Sequence, residues 1–427
     1  MNNPLSLIIR RLPTRDLRDY LRDPLYRNSA YLALGRFVDV GIGFFFWTLA
    51  ARLYSMADVG IATALVSSLG LVMAFSRLGF DSTIIRFMPK YDHSRVFNTT
   101  LWITTVASIV VSIFFLILID QMSPEIAFIR EYSLLYILFA IFNAITLTTG
   151  NALLAFRRAD QKFVQNLIMG GRLLLLFPLA ILGSLGVFYS VGVAYFLAAI
   201  YALLIIRRHI NLSLTIDWEF TSTTFRFSFL NYLASLFQAI PTLVMPLLII
   251  SLLTPEDAAL YYVAFAIGSL VLIIPEAMST SFFVEGSHGI NLRTAAIRSL
   301  AVTFAILIPT VLFIFFFGDL LLGLFGNEYI QAFSLLKVIV LSSVFVAIYL
   351  LFIPFQNIRF EVRGIVILNF IRFILLLGLS YIFVIHFGVI GTGYAWAVTY
   401  VVLGLWILIF IRVKLLGSGP SPTQNIS

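Results

Sequence analysis

Long apolar runs separated by short polar links occupy most of this 427-residue chain. A helix needs about 20 such residues to cross the hydrocarbon of a bilayer. Charged residues make up only 11% of the chain and hydrophobic ones 61%, against about 25% charged in an ordinary soluble domain. A water-soluble fold of this composition would be left with large exposed apolar patches. In lipid, backbone polar groups must be paired within the protein, so the runs must be helices. We read twelve spans, near 29–52, 59–79, 97–119, 132–155, 164–183, 188–206, 227–252, 259–282, 297–317, 332–356, 365–386 and 388–411. The expected fold is an all-α polytopic membrane protein, with about 12 transmembrane helices in two parallel six-helix bundles.

Basic residues set the orientation. Of 28 lysines and arginines, 21 fall in the N-terminus, the C-terminal tail and the loops on that same side, among them Arg10, Arg11, Arg15, Arg18, Arg22 and Arg27. The opposite side holds Arg52 and Arg130. By the positive-inside rule both termini are expected in the cytoplasm of a cell-membrane protein. The net charge of +8 is then a topology signal, and no nucleic-acid partner is expected. Within 14–27, Leu17, Tyr20, Leu21 and Leu25 share one helical face opposite arginines and aspartates, which predicts a helix lying on the membrane surface. The resulting division is an N-terminal segment 1–28, a bundle 29–206, a connector 207–226 containing Asp217 and Trp218, a second bundle 227–411 and a tail 412–427. No cleavable leader is expected, since the first long apolar run begins only near Ser29.

The two bundles resemble each other at an offset of about 200 residues. ARLYSMADVGIATA (51–64) and ISLLTPEDAALYYVA (250–264) both place an acidic turn before a helix rich in small residues. Arg172 is followed by Gly186-Val187 and AYF at 194–196, and Arg372 by FGV at 387–389 and YAW at 394–396. Six helices per repeat returns the chain to its starting side, so the repeats are parallel, an arrangement transporters use with the substrate path between them. Pro241, Pro246, Pro275, Pro309 and Pro354 interrupt second-half spans; Pro178, Gly41 and Gly43 fall in the first. Prolines at such positions permit bending.

Ionisable groups inside a membrane are costly and mark function by default. At about 1.5 Å per residue, Arg36, Arg172 and Arg372 lie roughly 10–12 Å below the cytoplasmic face, and Glu276 about 9 Å. Asp39 is one turn deeper than Arg36 on the same face. Three arginines at one level predict a cationic cavity suited to phosphate oxygens, with Asp39 and Glu276 pairing them when it is empty or carrying protons. Asn231 and Gln238 share a face at i,i+7 and could bind sugar hydroxyls, while Asn143, Asn166 and Asn369 are further intramembrane amides, a residue type that also joins helices. Lys337, near the outer face, is read as a snorkelled lysine. The candidate substrate-binding set is thus Arg36, Asp39, Arg172, Arg372, Glu276, Asn231 and Gln238.

No enzyme is expected. The chain has no nucleotide-binding loop, zinc-protease motif, nucleophile elbow or paired acidic motif, and its extracytoplasmic loops are short, the longest near 318–331. Cysteine is absent and His93, His209, His288 and His386 are scattered, so neither a metal nor a cofactor is expected.

Residues 35–91 resemble the start of the polysaccharide-biosynthesis flippases of the multidrug/oligosaccharidyl-lipid/polysaccharide exporter (MOP) superfamily. The likeness rests on AAR-x₅-D-x-G (Ala50 to Gly60), SRLGFDSTIIRFMP (Ser76 to Pro89) and LLAFRRADQKF (153–163). It implies alternating-access transport of an oligosaccharide carried on a polyprenyl diphosphate, for cell-surface polysaccharide, and carries no site residue across. The partners it implies are that lipid-linked substrate, membrane lipid and glycan-assembly proteins, with the chain itself monomeric. A cation-coupled multidrug exporter, which would favour acidic cavity residues, a membrane glycan polymerase or ligase, and a non-transporting scaffold are the alternatives.

Overall fold

A computed structural model describes residues 24–287, 292–358 and 362–417. They form fourteen α-helices and short 3₁₀ turns, with no strand among the described residues. Among the described residues, eleven helical segments are long and apolar enough to cross a membrane. The first half comprises α1 (Pro24–Leu53), α2 (Met56–Ser76), α3 (Phe80–Phe87), α4 (His93–Met122), α5 (Ser133–Ala155), α6 (Ala159–Gly170), α7 (Arg172–Leu175) and α8 (Ser184–Ile206). The second comprises α9 (Trp218–Leu252), α10 (Pro255–Ser287), α11 (Leu292–Gly323), α12 (Phe333–Ile358), α13 (Val362–Phe387) and α14 (Ile390–Gly417). Most of the surface helix predicted over 14–27 lies outside the described residues; its last four residues open α1. The side chain of Asn231 also lies outside them.

Eleven of the twelve expected spans are continuous helices, and the fifth is not. Over 164–183 the chain forms α6, a break at Gly171, the single turn α7 and a 3₁₀ turn at Ala180–Leu182. Three features prevent one helix there. Gly170-Gly171 weakens the middle, Pro178 removes a donor, and Gly183 has φ 56°. The helix-free connector is also shorter than 207–226. α9 starts at Trp218, where Asp217 accepts the Phe220 N–H at 3.0 Å and an ion pair from Arg95 at 2.5 Å.

The repeat appears at the level of single caps. Ser55 accepts the Asp58 N–H at 3.1 Å at the start of α2, and Thr254 accepts the Asp257 N–H at 3.2 Å at the start of α10. Each satisfies an orphan donor of a first turn. A 3₁₀ turn leads into α5 and another into α12, and left-handed Gly183 and Gly388 precede α8 and α14.

Aromatic stacking fills the first bundle, with Tyr136 between Phe115 and Phe188 and its hydroxyl donating to Ser68 at 3.0 Å. Apolar side chains such as Leu174, Ile181 and Phe316 point outward, as they do where lipid is the solvent.

The halves meet where α2 packs against both α9 and α10, and across the side chains of α1 and α10. The end of α2 and the turn after it follow α9, from Gly70 against Leu243, through the Tyr232 hydroxyl donating to the Phe75 carbonyl at 3.1 Å, to Gly79 against Ser228. Gly79 has φ 81°, and a Cβ there would overlap the Ser228 carbonyl. Gly79→Ala is therefore expected to destabilise the protein by about 2–4 kcal/mol, combining left-handed strain with overpacking, read as a lower unfolding midpoint in detergent.

Candidate functional site

α1 and α10 run antiparallel across the boundary between the halves and meet through side chains, with a gap between their backbones. Near the end of α1, Trp47 packs on Tyr262 with ring centroids 4.5 Å apart, and Phe44 on Phe325 at 5.4 Å. Toward the start of α1 the helices part. Arg36 reaches Glu276 across the gap at 3.4 Å, with their side chains 74% and 49% exposed. An ion pair this open and this long is weak. Arg36 therefore leaves most of its side chain uncovered at the gap.

Asp39, one turn along α1, accepts a hydrogen bond from Asn166 Nδ2 on α6 at 2.7 Å. It lies within electrostatic reach of Lys162, Arg172 and Arg36. Lys162 Nζ packs over Gly150 of α5 and donates to Gln165 Oε1 at 3.2 Å. Gln165 in turn donates to the Thr146 carbonyl at 3.0 Å and the Thr149 hydroxyl at 3.1 Å. Arg172 sits at the break between α6 and α7 with its guanidinium 4.8 Å from the centre of the Phe46 ring, and its Nε is buried with no partner. The first half thus carries a polar cluster of three cations around one carboxylate. An excess of positive charge in a partly dehydrated cleft attracts anions.

Arg372 belongs elsewhere. It is only 6% exposed and lies within the second half. Its guanidinium donates to the Tyr400 hydroxyl at 2.9 Å, the Gln238 carbonyl at 2.6 Å and the Phe237 carbonyl at 3.4 Å. Gln238 meets it through its main chain. Pro241, three residues on, has no N–H to give to the Phe237 carbonyl. Arg372 thus supplies donors at the kink, where lipid cannot. Beside it, Tyr349 donates a short hydrogen bond to Asn369. The structure therefore brings Arg36, Asp39, Arg172 and Glu276 to one region and does not bring Arg372 to it. Lys337 stacks on Phe333 at 4.0 Å and Phe315 at 5.1 Å.

Lys162 and Gln165 join this cluster although the sequence places Lys162 in a basic loop between spans. The polar run ADQKFVQN was the available signal, since a solvated loop has no need of its apolar spacing.

The sequence profile of the polysaccharide biosynthesis protein family matches residues 25–283. No curated protein matches the chain. Among solved structures, the lipid II flippase MurJ in an inward closed conformation is 15% identical with TM-score 0.74, covering 89% of this chain and 87% of that one. A multidrug resistance MATE family transporter of the MOP superfamily in its inward-facing conformation gives TM-score 0.73 at 17% identity, over 92% of this chain and 100% of that one. An outward-facing conformation of a MATE transporter gives 0.63 at 18% identity, over 93% and 97%. The fold is the one these transporters share, and with the profile spanning more than half of its length, the chain belongs to the polysaccharide biosynthesis protein family.

Proposed function

We propose that this protein is a flippase that moves an oligosaccharide on a polyprenyl diphosphate across the cytoplasmic membrane by alternating access between its two bundles. The observation that carries the reading is the open end of the α1–α10 gap, where exposed Arg36 faces Glu276 beside the Asp39–Lys162–Arg172 cluster. A diphosphate is a dense anion with several acceptor oxygens, and guanidinium binds such groups through paired donors. The gap lies between two long helices, so a polyprenyl tail can remain in lipid while its head group occupies the cleft. The basic-residue asymmetry supports a cytoplasmic opening at the Arg36 end. The chain carries out transport and no catalysis, and its partners are the lipid-linked substrate, membrane lipid and glycan-assembly proteins, with the protein acting as a monomer.

The experiment is reconstitution of the purified protein in liposomes. Translocation of a polyprenyl diphosphate bearing a sugar chain is expected, with the monophosphate carrier moved about tenfold more slowly through loss of one charge-assisted contact. Uptake of cationic dyes without movement of the lipid would overturn the reading in favour of a multidrug exporter.

A further inference from the structure

Among the described residues, the AAR-x₅-D-x-G motif makes no hydrogen bond or ion pair with the cluster described above. It lies at the opposite end of the α1–α10 boundary, where the halves are shut. Arg52 crosses from the end of α1 to the end of α11, where Nε donates to the Leu324 carbonyl at 2.9 Å and Nη2 to the Gly323 carbonyl at 2.7 Å. Carbonyls at a helix C-terminus lack partners within the helix and carry its negative dipole end, so a guanidinium there satisfies both hydrogen bonding and charge.

Gly60, the last residue of the motif, lies against the backbone of the other half. A Cβ there would overlap the carbonyl oxygen of Pro255, so a residue without a side chain is what lets α2 and α10 touch. Asp58 braces the same corner within the first half. Its Oδ1 accepts the Ser184 N–H at 2.8 Å while its Oδ2 accepts the Ser55 hydroxyl at 2.6 Å. Tyr54 adds a hydrogen bond to the Leu176 carbonyl at 2.8 Å. Behind this rim, Trp47 on Tyr262 and Phe44 on Phe325 form an apolar plug, and Ser123 donates to the Leu247 carbonyl at 3.3 Å.

We infer that AAR-x₅-D-x-G is the releasable seal of the far gate: Asp58 and Tyr54 make the α1–α2 corner one rigid piece with its own half, while Arg52 and Gly60 fasten that piece to the other half. Each inter-half contact is one that rocking can break without unfolding a helix. Arg52 leaves carbonyls that water can solvate, and Gly60 meets Pro255 through backbone atoms with no side chain interlocked between them. The inference rests on alternating access and is independent of the cargo.

The test uses the absence of cysteine. Ala51, buried beside Arg52, is replaced by cysteine in the full chain, and its labelling by a membrane-impermeant thiol reagent is measured in vesicles of both orientations. Labelling of Ala51→Cys alone is expected to be slow and from the side opposite to Arg36→Cys. Adding Arg52→Leu should raise the rate about five- to tenfold, the shift expected when a charge-assisted cap is lost, with Arg52→Lys between. Gly60→Val, a wedge against Pro255, should act in the same direction and serves if Arg52→Leu fails to reach the membrane. An unchanged rate in a variant that does reach the membrane would make the contact a static strut and overturn the inference. So would labelling of Ala51→Cys and Arg36→Cys from the same side. Because no substrate is added, either failure leaves the lipid-linked cargo reading untouched.

Discussion

Replacing Arg36 by alanine is expected to lower glycan export about 10- to 100-fold in a strain with no second flippase, the range that follows from losing one hydrogen bond to a charged partner at about 1.5–3 kcal/mol. The argument starts from exposure. Arg36 is held by a single long contact to Glu276, so an anion can displace the carboxylate at little cost. Glu276→Gln should then act in the opposite sense on affinity. It removes the competing negative charge, and the substrate concentration giving half-maximal transport should fall. Arg36→Lys keeps the charge but loses the two-pronged geometry and should fall between wild type and alanine. Because Arg36 is exposed and bridges nothing buried, its loss should leave the unfolding midpoint within about 0.5 kcal/mol of the parent, as for surface substitutions generally. Export that survives Arg36→Ala intact would remove the cavity assignment. Unfolding with loss of export would show that the pair is structural.

The membrane class and the double bundle were legible because they depend on long stretches of composition, which local rearrangement does not disturb. The repeat was legible for a related reason. Ser55 and Thr254 cap equivalent helices by accepting the N–H groups of Asp58 and Asp257, and a cap imposes a residue type at a fixed spacing. The fifth span misled because its mean apolarity spans a membrane while its glycines and proline decide, residue by residue, that no single helix forms there. Arg36 and Arg372 were indistinguishable by depth. What separates them is rotation about the helix axis and the neighbour each one meets, an open gap for the first and a proline kink for the second, and depth carries neither quantity. Lys162 was hidden for the converse reason: α6 folds inward from a position that charge statistics assign to a loop.

Arg372→Met is expected to destabilise the protein by about 2–4 kcal/mol, measured as a lower unfolding midpoint in detergent. The change leaves the Phe237 carbonyl, which Pro241 cannot serve, and the Tyr400 hydroxyl without the donor that now meets them at 3.4 and 2.9 Å, and a buried unpaired polar group costs about 1–3 kcal/mol. Removing the guanidinium also ends the cost of burying a charge, which keeps the total below the sum of the lost contacts. Arg372→Lys should recover only part of the stability, because one ammonium cannot reach the α9 carbonyls and the α14 hydroxyl with the geometry of a fork. Pro241→Ala tests the cause directly. Restoring the N–H gives the Phe237 carbonyl a donor of its own, so Arg372→Met should cost less in the Pro241→Ala background than in the parent, a coupling that a double-mutant cycle isolates. Additive effects would detach Arg372 from the kink. Stability unchanged by Arg372→Met with export abolished would return this arginine to the substrate path, since a residue that binds cargo can be lost without loosening a helix, and one that stands in for a missing backbone donor cannot.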